Sequence, residues 1–182
     1  MEYLLRWTAL AVTAGIVLAG VGRAEEPAKQ APKVVLKSPD GKKSYDLAKL
    51  TEKGPVLVRL TCACTGCDQE LPFFQKLQTA YQDKGLITLA VFQEKPESLD
   101  QYVVKKGISF LWLADPTRAM WKMFDAQQMP TNILIDKGGK VVKVIPGCTK
   151  DGKNAQSLSG EVAKLLKTDV AQITESPAKG TK

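Results

Sequence analysis

An apolar run, Val56-Leu57-Val58, passes through Arg59 to Leu60 and stops just short of Cys64-Thr65-Gly66-Cys67. Beyond the cysteines, Leu71, Phe74, Leu77 and Tyr81 recur at spacings of three and four, which is a helix period. The two cysteines therefore lie where a buried strand hands over to a helix. The first turn of a helix carries unpaired N–H groups and a partial positive charge. A thiolate at Cys64 is stabilised there. The spacing of three puts Cys67 one turn along on the same side, so the pair can open and close as a disulfide while the backbone stays still.

Other apolar runs and turn signals extend this reading. Val34–Lys37 and the residues after Ser44 predict an opening hairpin around Ser38-Pro39-Asp40-Gly41. Val56–Leu60 and Leu86–Phe92 predict two buried strands, joined by one helix over 64–83 that Pro72 should kink. Strand–helix–strand implies a right-handed parallel crossover. A helix over 97–106, a strand at 110–113 and a helix over 117–125 follow, the last with Met120, Met123 and Phe124 turned to the core. Asp136-Lys137-Gly138-Gly139 predicts a tight turn between strands at 131–135 and 140–145, and residues 155–167 predict a final helix. Arg59 is out of place in a strand covered on both faces: its head must reach water or meet a carboxylate. If Ile135 pairs with Lys140, Pro130 pairs with Ile145, and Cys148 lies at most about 10 Å further, near the rim that holds Cys64.

The first 24 residues differ in kind. Thr8 to Val21 is apolar, and Gly22-Arg23-Ala24 offers small residues where a signal peptidase cuts. We read residues 1–24 as a secretory signal cleaved after Ala24, 25–33 as a linker, 34–167 as one domain and 168–182 as a disordered tail. The apolar stretch is short of the roughly 20 residues of a membrane span, so membrane attachment is expected only if the signal stays uncleaved. Export to the periplasm or beyond implies an oxidising compartment. Three of the four cysteines, Cys62, Cys64 and Cys67, crowd together, with Cys148 apart. A stapling disulfide gains by closing a long loop, so the crowding points to redox work or metal binding. The chain has no histidine, which excludes His-ligated metals, a C-x-x-C-H haem site and a catalytic triad. Its formal net charge of +7 is spread among lysines without interleaved aromatics, so nucleic-acid binding is not expected.

These motifs carry a resemblance. Asp40-Gly41-Lys42, Gly54-Pro55-Val56-Leu57-Val58, Cys64-x-x-Cys67-x-x-Glu70-Leu71-Pro72, Asp115-Pro116, Met129-Pro130-Thr131 and Leu134-Ile135-Asp136-Lys137-Gly138-Gly139-Lys140 together resemble the exported TlpA-like and ResA-like thiol-disulfide oxidoreductases of the redoxin group. The resemblance implies an α/β thioredoxin-like fold, with a central mixed sheet, helices on both faces, an N-terminal β-hairpin and a helix–strand insertion before the cis-proline strand. It also implies that Cys64 is the nucleophile, Cys67 the resolving thiol, Glu70 a carboxylate that handles protons, and Pro130 a cis-proline. Met129 and Thr131 would bind substrate as an added strand. The expected activity is thiol-disulfide exchange on exported proteins, as a reductase, by a monomer fed from a membrane electron donor. No cofactor or metal is expected beyond a redox-active Cys64–Cys67 disulfide.

The departures leave alternatives open. Ala63 stands where the family has Trp, and Thr65-Gly66 separates the cysteines; such dipeptides help set the potential and hence the direction. Cys62 or Cys148 could exchange with the central disulfide. Alternatively Cys62, Cys64, Cys67 and Cys148 could form a thiolate site for Zn or Cu(I). Thr61-x-x-Cys64 also echoes the peroxiredoxins, although Leu57 and Pro130 depart from their pattern.

Overall fold

A computed structural model describes residues 29–174. The signal segment lies outside the described residues. Five strands form the central sheet, in the order β5-β4-β3-β6-β7. They are β3 (Val56–Thr61), β4 (Ile87–Phe92), β5 (Leu111–Ala114), β6 (Thr131–Ile135) and β7 (Val141–Pro146). The first three run parallel, and β6 and β7 are antiparallel to their neighbours. β1 (Val35–Lys37) and β2 (Ser44–Asp46) form the separate opening hairpin.

Every residue of β3 is buried, as a central strand with both faces covered requires. Its side chains alternate. Val56, Val58 and Leu60 pack with Met120, Trp121 and Phe124 of α5 (Ala119–Phe124) and Leu47 of α1 (Leu47–Lys53). Leu57 packs on the opposite face with Phe74, Leu77 and Tyr81 of α3 (Leu71–Tyr81) and Leu158 and Val162 of α6 (Lys153–Leu166). α4 (Pro96–Lys106) covers Ala90 and Phe92 with Leu99 and Val103.

Five expectations need correction. The single helix over 64–83 is two helices: α2 (Thr65–Asp68) is one turn, and α3 begins afresh with Pro72 in its first turn. Proline is tolerated there because the missing N–H has no helical partner to lose. In α5, Trp121 rather than Met123 turns inward, and Met123 is exposed. The β6–β7 register is displaced, with Thr131 opposite Pro146 and Ile135 opposite Val141, because the strands shift register between Leu134 and Ile135. Gly138 and Gly139 supply the left-handed backbone of the turn, and Asp136 closes it by accepting from the Lys140 N–H at 2.8 Å.

The remaining two corrections concern the domain's ends. Part of the expected linker joins the domain: Lys29 O accepts from Val141 N and Ala31 N donates to Gly139 O. Residues 168–174 are a packed strap, not a loose tail. Ile173 is buried, its N–H donates to Gln156 Oε1 at 2.7 Å, and Ala171 N donates to Tyr81 Oη at 2.8 Å. With Val170, Ala171 and Ile173 its only apolar residues, the segment has no period that could reveal this.

Candidate active site

The cysteine loop leaves β3 after Thr61. Continuing the Leu60–Thr131 pairing by one residue sets Pro130 opposite Thr61, beside the start of this loop. The Met129–Pro130 bond is cis, as the resemblance implied. Pro130 O accepts from Gly147 N at 2.7 Å, which ties the proline to the segment leading to Cys148. Cys148 Sγ in turn lies 3.4 Å from Gly66 O, between Cys64 and Cys67 in sequence. The arithmetic that put Cys148 on this rim survives the register correction, because two residues shift it by only about 7 Å.

The sulfurs of Cys62, Cys64 and Cys67 all lie within 4.8 Å of one another. The expected Cys64–Cys67 disulfide is not the bond present. Cys62 and Cys64 are joined, and Cys67 is a free thiol with its Sγ 3.2 Å from that of Cys62. Cys64 has extended backbone (φ −126°, ψ 154°), and side chains two apart along an extended chain share a face. The helical spacing of three favours the other pairing, and both geometries meet at Cys64. Cys62 and Cys67 are buried while Cys64 is exposed, so Cys64 is the sulfur of this trio that another chain can touch.

Beneath the sulfurs sits the group that explains Arg59. Its Nη1 donates to Glu70 Oε2 and to Asn132 Oδ1, both at 2.9 Å, and its Nη2 donates to the Cys67 carbonyl at 3.1 Å. The guanidinium carbon stands 4.3 Å from the centre of the Phe74 ring. One buried cation thus joins β3, β6 and the α2–α3 junction. Glu70 is fully buried, and its Oε1 accepts from Thr149 N at 3.5 Å.

Two further carboxylates flank the loop. Glu94 Oε1 accepts from Ala63 N at 3.1 Å, and its Oε2 is buried with no partner among the described residues. Asp68 accepts from the Tyr102 hydroxyl at 2.5 Å and pairs with Lys106 Nζ at 2.6 Å, pinning α2 to α4. Partial burial, then the hydrogen bond to the Asp68 carboxylate, push the Tyr102 phenol well above its usual range. Thr131 is buried, and its hydroxyl donates to Gln128 O, so its side chain is committed within the fold. Met129 stays half-buried against the α5 layer.

Sequence reasoning passed over Glu94, Asn132, Thr149 and Asp68. Glu94 had a signal: it is a carboxylate at the carboxyl end of a buried parallel strand, where α/β sheets place their sites. The others come from distant segments and gave none.

A cysteine cluster at the end of the central strand of a mixed sheet, with a cis-proline beside it, defines a thioredoxin-like fold. The Redoxin family model matches residues 26–159, and the chain belongs to the redoxin family. It is 32% identical over 120 residues to the thiol-disulfide oxidoreductase ResA of Halalkalibacterium halodurans, covering 65% of this chain and 68% of that one. With ResA of Bacillus thuringiensis it shares 31% identity over 138 residues, 75% of this chain and 77% of the relative. A candidate thiol:disulfide interchange protein DsbE from Chlorobium tepidum shares the fold at a TM-score of 0.67 and 22% identity, over 76% of this chain and 96% of that one. Among the described residues no helix is long and apolar enough to cross a membrane.

Proposed function

We propose that this chain is a thiol-disulfide oxidoreductase that reduces disulfides of exported proteins through Cys64. The observation that carries the reading is one exposed sulfur flanked by two buried ones within 4.8 Å. In the reduced protein, the Cys64 thiolate attacks a substrate disulfide. A mixed disulfide forms and one substrate thiolate leaves. Cys67 then attacks Cys64 Sγ, releasing the second substrate thiolate and leaving the protein oxidised by two electrons. A dithiol donor at the membrane restores the thiols and leaves as a disulfide.

Buried resolving thiols favour the reductase direction, since they capture Cys64 before the substrate rearranges and so release it reduced. Cys62 is a second resolving thiol, because its buried sulfur stands beside the exposed one and is joined to it in this state. The incoming chain lies along Met129, at the edge of the cis-proline turn, as an added strand. No cofactor other than the cysteines is needed for this chemistry.

Thiol-dependent reduction of insulin disulfides tests the activity: Cys64→Ser should abolish it while leaving the fold intact, and full activity in that variant would overturn the reading. Redox titration tests the direction. Across such proteins the potential spans about −270 to −120 mV; a value near the oxidising end would reverse the assignment. Export rests on the apolar segment Thr8 to Val21 followed by Gly22-Arg23-Ala24. The mature chain should then begin at Glu25, and a mature protein that retains the first 24 residues would instead be anchored.

A further inference from the structure

We infer that the reduced protein binds one Cu(I) ion through the thiolates of Cys62, Cys64 and Cys67. This site is separate in chemistry from the exchange reaction, although it uses the same sulfurs. A metal bonded to three sulfurs at about 2.3 Å holds them about 4 Å apart. The three sulfurs here already lie within 4.8 Å of one another; once the Cys62–Cys64 bond is reduced, those two sulfurs must part by about 2 Å from bonding distance, while Cys62 and Cys67, 3.2 Å apart, need less.

The local geometry explains why three donors converge. Cys62 and Cys64 share a face of extended chain, and Cys64 and Cys67 share a face of the α2 turn. A disulfide uses two of these sulfurs and leaves the third idle. A three-coordinate metal uses all of them.

The donor set selects the ion. It is wholly sulfur, and the chain has no histidine. Soft thiolates favour Cu(I) and Zn among the biological metals. Zinc in a closed site takes four protein ligands. The fourth cysteine, Cys148, has its sulfur against Gly66 O, outside the group of three. Cu(I) is satisfied by three sulfurs. Two of the donors are buried, which shields the ion from water and oxidant, and Cys64 is exposed, which leaves a route for a thiolate-bearing copper donor to hand it over.

Binding requires the thiols. Reduction of Cys62–Cys64 takes two electrons and two protons from a dithiol, which leaves as its disulfide. Cu(I) then displaces the thiol protons to water. Metal occupancy and disulfide are therefore mutually exclusive states of the same cluster.

The test is an anaerobic titration of the reduced full-length chain with Cu(I) against bicinchoninate, a chromophoric Cu(I) chelator. The expected result is one equivalent withdrawn from the chelator by the reduced protein and none by the oxidised protein, with three sulfur neighbours by X-ray absorption. Cys62→Ser and Cys64→Ser should each weaken uptake at least tenfold, and Cys148→Ser should leave it unchanged. Cys64 is exposed, so its variant reports on ligation even if Cys62→Ser disturbs the fold. The proposal is overturned if the reduced protein takes no copper, if both variants bind as well as the parent, or if Zn(II) displaces Cu(I) at equal concentration. Insulin reduction by copper-free protein is measured alongside, so a failure of metal binding is distinguished from a failure of the exchange reading.

Discussion

Arg59 Nη1 lies 2.9 Å from Glu70 Oε2, and both side chains are buried. Removing one partner of such a pair leaves an uncompensated charge in the core, which costs about 3–5 kcal/mol. Arg59→Met should lose that much stability in urea unfolding, and adding Glu70→Gln should return part of it. If the double variant is no more stable than Arg59→Met, the pair does not carry the coupling that its geometry implies.

Glu70 and Glu94 should separate in kinetics. Both oxygens of Glu70 are engaged, whereas Glu94 has one on Ala63 N and one unpartnered. Glu70→Gln should therefore lower stability together with rate. Glu94→Gln should leave stability nearly unchanged and slow exchange on the order of tenfold to a hundredfold, the lower range of acid–base contributions. The check is the pH–rate profile of each variant beside its urea melt. An unchanged profile for Glu94→Gln would remove that residue from proton handling.

Resolution of the mixed disulfide should be shared. Cys67→Ser should keep measurable turnover through Cys62, whereas Cys62→Ser with Cys67→Ser should accumulate a Cys64–substrate adduct and fall by about two orders of magnitude or more, as expected for losing a pre-positioned nucleophile. Trapping with a disulfide peptide followed by mass spectrometry reads the adduct directly.

Tyr102 sets an alkaline limit. Its phenol titrates above the usual 10.0 in the folded chain because partial burial and the Asp68 carboxylate oppose the phenolate. The raised value means that the stabilisation is fully present below about pH 10 and is lost as pH rises toward the folded value. Unfolding midpoints should fall above pH 10, and Tyr102→Phe should flatten that decline. A decline of the same size in the variant would assign it to other groups.

Gly54 is needed for space rather than for backbone freedom. A Cβ there would stand 2.4 Å from the carbonyl oxygen of Gly85. Gly54→Ala should therefore cost about 1–3 kcal/mol, the usual cost of overpacking, measured by thermal or urea unfolding.

Much of this molecule could be read from the sequence where one segment carried its own pattern. The strand–cysteine–helix junction, the cis-proline strand and the Gly138-Gly139 turn all stand on local residues. Arg59 was legible as a problem with two solutions, and burial chose the carboxylate. Glu94, Asn132 and Thr149 were hidden because each reaches the loop from a separate strand or turn. The Cys62–Cys64 bond was hidden for a different reason: helical spacing and extended spacing compete at Cys64, and the sequence does not rank them. The packed segment after Thr168 lacks any period, so only its contacts reveal it.

The Tyr81 hydroxyl has Ser159 Oγ 2.7 Å away and receives the N–H of Ala171, while Ser159 Oγ donates to Ala171 O at 2.7 Å. This closed ring clasps two helices whose members stand 78 positions apart. A polypeptide made from its amino end completes the clasp only once Ala171 has emerged, so the outer layer beside α3 stays ajar until after α6 has been made. A purification handle fused directly behind Leu166 would keep that layer open for good, whereas one placed beyond residue 174 would spare it.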